Sequence, residues 1–255
     1  MSPPNPSITL RTRRNDVSEQ PSAIAVILAQ YPPEERKRRE DAVRAAAPYG
    51  QPVEFLEIEG SVYKKGLTQY HRAVIAPLVA RAALQAQRAG YSAVVPYGTL
   101  DLGIDEARHV VDIPVMGPGR TSTHIALTLG SRVSVLCYDQ PHVVMFRKLL
   151  PSWGVTEGVT SIRPVDVPIT EMASRTDELR KRFVEQSQRA IEDEGAEIIL
   201  PLGMTMVPVL MSAASLSDEI GVPVVDPIAS TLAVAAFLGS GGYTNSRVAY
   251  PHVEP

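Results

Sequence analysis

The chain has 255 residues, a formal net charge of −3 and a single cysteine. That length allows one large α/β domain or two lobes of ~100–130 residues each. A lone thiol excludes an internal disulfide and any cysteine-rich metal site. Basic runs with acids close by and no interleaved aromatics argue against a nucleic-acid surface.

Residues 1–20 are rich in Pro and polar groups and predict a flexible N-terminal tail. The first seven residues lack the apolar core of a secretory signal. No apolar run approaches the ~18–20 residues of a membrane span, so a cytoplasmic protein with no membrane partner is expected. Ala23–Ala29 is a buried strand, and Pro32-Pro33-Glu-Glu opens a helix, since Pro and acids suit the first turn. Pro52–Glu59 alternates as a second strand. A loop at 60–69 carries two lysines and leads into a helix over about 70–89. A strand and turn follow at 92–99, then a helix at 102–111, a strand at 113–117 and a helix near 120–130. Arg132–Tyr138 is a strand, followed by a helix near 141–151, a strand near 158–165 and a charged helix near 170–194. A last helix spans about 228–238, and 241–255 reads as a C-terminal tail.

Two segments repeat. Gly90-Tyr-Ser-Ala-Val-Val-Pro96-Tyr97-Gly98-Thr99 matches Gly195-Ala-Glu-Ile-Ile-Leu200-Pro201-Leu202-Gly203-Met204-Thr205. Each copy continues into another Gly- and Pro-bounded strand, Asp112–Gly117 and Gly221–Pro227. Strands alternating with helices imply parallel βαβ units. The fold class expected is therefore α/β with two similar lobes: 21–118 plus about 226–240, and 119–225. Ligands of such sheets bind beyond the C-terminal strand ends, which directs attention to the turns at 97–99 and 202–205.

The stretch Gly98-Thr-Leu-Asp101-Leu-Gly103-Ile-Asp105-Glu-Ala-Arg108, continuing through Pro114-Val-Met-Gly117-Pro-Gly119, resembles the aspartate/glutamate/hydantoin racemase superfamily, most closely its hydantoin racemase branch. The likeness extends in outline over roughly 23–240. It implies two flavodoxin-like lobes related by a pseudo-twofold axis, with the active site in the cleft between them and no cofactor. Family racemases use two cysteines as thiolate base and thiol acid. Here the first falls on Gly98 and the second on Pro201, Leu202 or Gly203, so the two-thiol mechanism is absent. Gly98-Thr99 is similar to the first turn of arylmalonate decarboxylase, where the turn helps hold a carboxylate with assistance from a Tyr whose nearest equivalent is Tyr138.

Several residues are candidates for the chemistry. Tyr97, Gly98 and Thr99 on one side, and Gly203, Met204 and Thr205 on the other, could offer N–H groups and hydroxyls to an enolate or carboxylate. A plain strand-to-helix turn would also need the glycines. Tyr138 could donate to an oxyanion, and Asp139 could act as base or merely start the turn before Pro141. Arg120 could meet a substrate carboxylate or an ordinary salt-bridge partner, and His124 shares its helical face. Asp226 reads as a helix N-cap, and Asp101 could cap the 102–111 helix. Cys137 reads as a small buried apolar group. Asp105 and His109 lack further ligands, so no metal is expected. Gly117-Pro-Gly119 lacks the third glycine of a dinucleotide fingerprint.

These features imply a cofactor-independent enzyme acting on a small carboxylate or cyclic amide, as isomerase, lyase or hydrolase, and assembling as a homo-oligomer. The competing reading is a non-catalytic binding or regulatory protein on the same scaffold.

Overall fold

The computed structural model describes residues 22–58 and 69–253. The expected N-terminal tail and the two-lysine loop lie outside the described residues, apart from Gln69. Short β-branched runs become strands, each joined to the next by a helix that covers one sheet face. In the first lobe these are β1 (Ile24–Ala29), α1 (Pro33–Ala46), β2 (Val53–Ile58), α2 (Gln69–Arg88), β3 (Ala93–Pro96) and the short α3 (Ile104–Arg108). The second lobe has α4 (Pro118–Leu129), β4 (Val133–Cys137), α5 (Gln140–Trp153), β5 (Val159–Pro164), α6 (Thr176–Glu194), β6 (Ile198–Pro201) and α7 (Ala213–Ile220), after which α8 (Pro227–Ser240) follows.

The two sheets have one topology. The strands run parallel in the orders β2-β1-β3 and β5-β4-β6. A fourth position beside each is a single bridge, Val94 to Val115 and Ile199 to Val224. Full strands were expected at 113–117 and 221–227. Pro114 and Pro223 stand in them and have no N–H to extend the ladder. Their carbonyls accept from the Val94 and Ile199 amides, and the Met116 and Val225 amides donate back to the Val94 and Ile199 carbonyls, which completes each bridge.

Period-2 alternation sorts each central strand onto two helical layers. Ala25 and Ile27 pack with α2 and α3, whereas Ile24, Val26 and Leu28 face Val43 of α1 and Ile228, Leu232 and Ala235 of α8. The last helix thus completes the core of the first lobe. In the second lobe Leu136 joins Leu179, Phe183 and Leu216 from α6 and α7. Val133, Val135 and Cys137 meet Phe146, Leu150 and Ala126 from α5 and α4.

Two boundaries differ from expectation. α3 starts after Gly103, whose φ of 73° breaks the chain direction, and ends at Arg108. Residues 243–253 are fastened to the first lobe. Asn245 Nδ2 donates to the carbonyls of Val111 and Ile113 at 3.0 and 2.7 Å. Arg247 reaches the Arg108 carbonyl at 2.9 Å and the Asp112 carboxylate. A polar sequence reads as a tail, but its side chains serve the Arg108 carbonyl at the end of α3 and the Val111 and Ile113 carbonyls of the segment after it. Among the described residues, no helix is long and apolar enough to cross a membrane.

Candidate active site

The C-terminal ends of β1 and β3 and the turns after β3 and β6 surround one cavity that opens to solvent. Its wall is largely apolar: Ile27, Ile58, Ile75, Val79, Leu100 and Leu102. Its polar groups are Tyr97, Thr99, Tyr138, His142 and Thr205, with Gly98 and Met204 between them. The matched turns of the repeat therefore meet at one site, because parallel strands of both lobes end there.

The first turn is open. A side chain at Gly98 would meet nothing within 4 Å. Among the described residues, no backbone carbonyl accepts from the amides of Gly98, Thr99 or Leu100, and the Thr99 hydroxyl has no partner. The turn is held from behind by Asp101, which has φ 52°. Its carboxylate accepts from the Gly119 and Arg120 amides, both at 2.7 Å. Asp101 thus caps α4, not the 102–111 helix it precedes. Gly117 is glycine because a side chain there would collide with this carboxylate, and Gly119 because one would strike the Thr99 carbonyl. Although Asp101 retains some solvent contact, the dense protein around it pushes its pKa up to about 7, against the lowering effect of the two amides and of Arg108 and Arg120. A protein carboxylate occupies the helix end where a dinucleotide would place its pyrophosphate.

The second turn is closed. The Thr205 amide donates to the Tyr138 hydroxyl at 3.1 Å, and Thr205 Oγ1 accepts from Arg39 at 3.0 Å. Gly203 lies beneath the Tyr138 ring; a side chain there would stand 2.8 Å from Tyr138 Cε1 and 2.6 Å from Met206 Cε. Arg39 is 1% exposed, paired with Glu35 at 2.7 Å and stacked 4.1 Å above the Tyr31 ring. Burial raises the Tyr31 pKa; Arg39 opposes that rise, and the nearby Tyr97 and Tyr138 add to it.

Asp139 does not line the cavity. It caps α5, accepting from the His142 amide at 3.0 Å, and its Oδ1 lies 2.6 Å from His142 Nδ1. His142 is 7% exposed, faces the cavity and packs edge-on against Tyr138 with ring centroids 5.1 Å apart. An ionised carboxylate can only accept, so this contact puts the proton on Nδ1 and leaves Nε2 bare in the neutral ring.

Other candidates sit elsewhere. Cys137 is fully buried, and desolvation, with Asp139 close by, pushes its thiol up to about 12. It is no nucleophile at neutral pH. The Arg120 side chain lines a second cavity with His124, on the far side of α4. Asp226 caps α8 through the Ile228 and Ala229 amides at 2.8 and 3.0 Å, and burial raises its pKa. Asp105 bonds Arg108 and Tyr250. Among the described residues, no group of three His, Cys, Asp or Glu could hold a metal ion.

Sequence reasoning missed Arg39 and His142. Arg39 stands in an Arg36-Lys37-Arg38-Arg39 run, and only its four-residue spacings to Glu35 and Val43 set it apart. His142 had a clearer signal. Asp139-Gln-Pro-His142 has the spacing of an N-cap and a side chain that reaches back to it.

The sequence profile of the Asp/Glu/hydantoin racemase family matches residues 37–235. A hydantoin racemase from Rhizobium meliloti is 27% identical over 157 residues, 60% of this chain and 64% of that protein. The match thus spans under two thirds of that relative. Allantoin racemase from Klebsiella pneumoniae shares the fold with a TM-score of 0.80 at 21% identity, over 91% of this chain and 95% of that one. Arylmalonate decarboxylase does so with a TM-score of 0.56 at 19% identity, over 86% and 93%. With most of the chain matched and both lobes reproduced, this protein belongs to the Asp/Glu/hydantoin racemase family.

Proposed function

We propose that this chain is a cofactor-independent isomerase that moves the proton α to a carbonyl in a small cyclic amide of the hydantoin type. The carrying observation is the composition of the cavity wall. Its described residues include apolar side chains and neutral donors, and no Lys, Arg, Asp or Glu. A dicarboxylate such as aspartate would bring two carboxylates and an ammonium against a wall with no charged partner among its described residues, at large desolvation cost. A neutral ring with an apolar substituent meets no such cost. The developing enolate oxygen would accept from the Thr99 hydroxyl and the unbonded amides at 98–100, donors set in place before the reaction. Membership of the racemase family and the likeness to an allantoin racemase support isomerisation. The first turn's similarity to arylmalonate decarboxylase supplies a lyase alternative, loss of carboxylate from a monosubstituted malonate, which the same charge argument disfavours at this wall.

The test is a panel of enantiopure 5-substituted hydantoins, allantoin, arylmalonates, maleate, aspartate and glutamate, followed by circular dichroism and NMR. Racemisation of a hydantoin with an apolar substituent is expected, with aspartate and glutamate inert. The lack of a thiol at either turn favours one second reading, a binding protein without turnover. Compounds that raise the melting temperature yet remain unchanged would establish it. Sedimentation of the same preparation reads the homo-oligomer that forms part of the proposal.

A further inference from the structure

We infer that the Asp139–His142 pair supplies the proton-transfer group that the missing cysteines would provide, with His142 Nε2 as base and Asp139 as its positioning residue. The inference rests on the proposed α-proton chemistry of the cavity and names the residue that performs it.

Three observations converge. His142 is the imidazole among the described cavity-lining residues, the other polar side chains of the wall being hydroxyls. Its Nδ1 is engaged by Asp139 Oδ1 at 2.6 Å, which fixes ring orientation and tautomer together. Its ring edge rests on Tyr138, whose hydroxyl receives the Thr205 amide, so the imidazole is packed between the capped start of α5 and the second turn. Cys137, five residues earlier, is excluded by burial behind the strand.

The step balances with no co-reactant but water. The ring C–H bond α to the carbonyl breaks, and its electron pair passes into the carbonyl as an enolate held at the first turn. The proton forms an Nε2–H bond, and the resulting imidazolium is offset by the Asp139 carboxylate. Return of a proton to the same face from Nε2–H restores the neutral ring of His142 with retention; inversion follows when water protonates the opposite face of the enolate and the imidazolium gives its proton back to the hydroxide so formed. In D₂O the imidazolium exchanges with solvent, so deuterium enters the substrate.

The experiment follows hydrogen–deuterium exchange at C5 of 5-benzylhydantoin in D₂O by ¹H NMR, alongside ¹⁵N spectra of the labelled histidines. His142→Gln should lower exchange by 10²–10⁴-fold, the usual share of a general base, while hydantoin affinity measured by calorimetry stays within a few-fold. Asn caps helices as well as Asp, so Asp139→Asn should keep the fold and the affinity. It should lower exchange at least tenfold and shift the His142 signal toward the Nε2-protonated tautomer. Exchange retained in His142→Gln, or a wild-type ring with a proton on Nε2 and none on Nδ1, overturns the assignment to His142 while leaving the cavity's reading intact. Wild-type protein that exchanges no hydantoin overturns that reading, and this inference falls with it.

Discussion

The two repeated turns share a backbone plan and differ in chemistry. Around Gly98 there is open space, and the Thr99 hydroxyl and neighbouring amides are unengaged among the described residues. Around Gly203 the Tyr138 ring and Met206 fill the space, and Thr205 is held through both its amide and its hydroxyl. The helix starts show a parallel divergence. α8 is capped by its own Asp226, whereas α4, which begins at Gly117 with no side chain, borrows Asp101 from the first turn. The two turns thus bend the chain alike and differ in their surroundings: one is open to the cavity, and the other is packed shut by Tyr138, Met206 and Arg39.

The largest effect should break the comparison at the free hydroxyls. Thr99→Val removes an oxyanion donor with little change in volume, and turnover of the responsive panel compound should fall by about 10²–10³-fold. Thr205→Val, whose hydroxyl already serves Arg39, should cost under tenfold. Equal losses would show that both turns receive the ligand.

A smaller effect tests the packing asymmetry. Gly203→Ala forces a methyl into the Tyr138 ring and should destabilise by about 1–3 kcal/mol, read from denaturant unfolding. A melting temperature equal to wild type would remove the closed description of that turn.

Next comes the borrowed cap. Asp101 holds its proton in the folded protein up to about pH 7, against an ordinary value of 3.8. Between those values the folded state binds more protons, so this residue's contribution to stability is full at low pH, declines as pH rises toward 7 and levels off above. Asp101→Ala should lose roughly 0.5–2 kcal/mol of capping and should abolish that slope. The gap in melting temperature between wild type and variant should therefore narrow from pH 5 to pH 8. A gap that stays constant over that range would show a carboxylate ionised throughout.

The smallest effect concerns the thiol. Cys137→Ala should cost about 1 kcal/mol from lost apolar burial and leave turnover within a few-fold, and iodoacetamide at pH 8 should not inactivate the enzyme. Inactivation by that reagent would return the thiol to the mechanism.

The amino-acid sequence by itself determined the two-lobed parallel α/β plan. Buried β-branched runs at Ile24–Leu28 and Val133–Cys137 and the repeated Pro-x-Gly turns are local signals, and local signals survive without tertiary context. The same holds for Asp226, whose cap lies two and three residues from its own carboxylate. The contacts that decide the site span long distances along the chain. Arg39 reaches Thr205 across 166 residues, and Tyr138 reaches it across 67. Asp101 looks like the cap of the helix beside it, but a left-handed φ turns it toward α4 instead. Arg120 follows a family turn in the sequence, yet one helical face sends its side chain to a second cavity. Periodicity reports which face of an element is apolar; which polar group meets which across the lobes depends on how the two sheets dock. Only the tertiary structure decided that the turn at 98–100 stays open, that Arg39 braces Thr205, and that His142, placed by Asp139, faces the cavity.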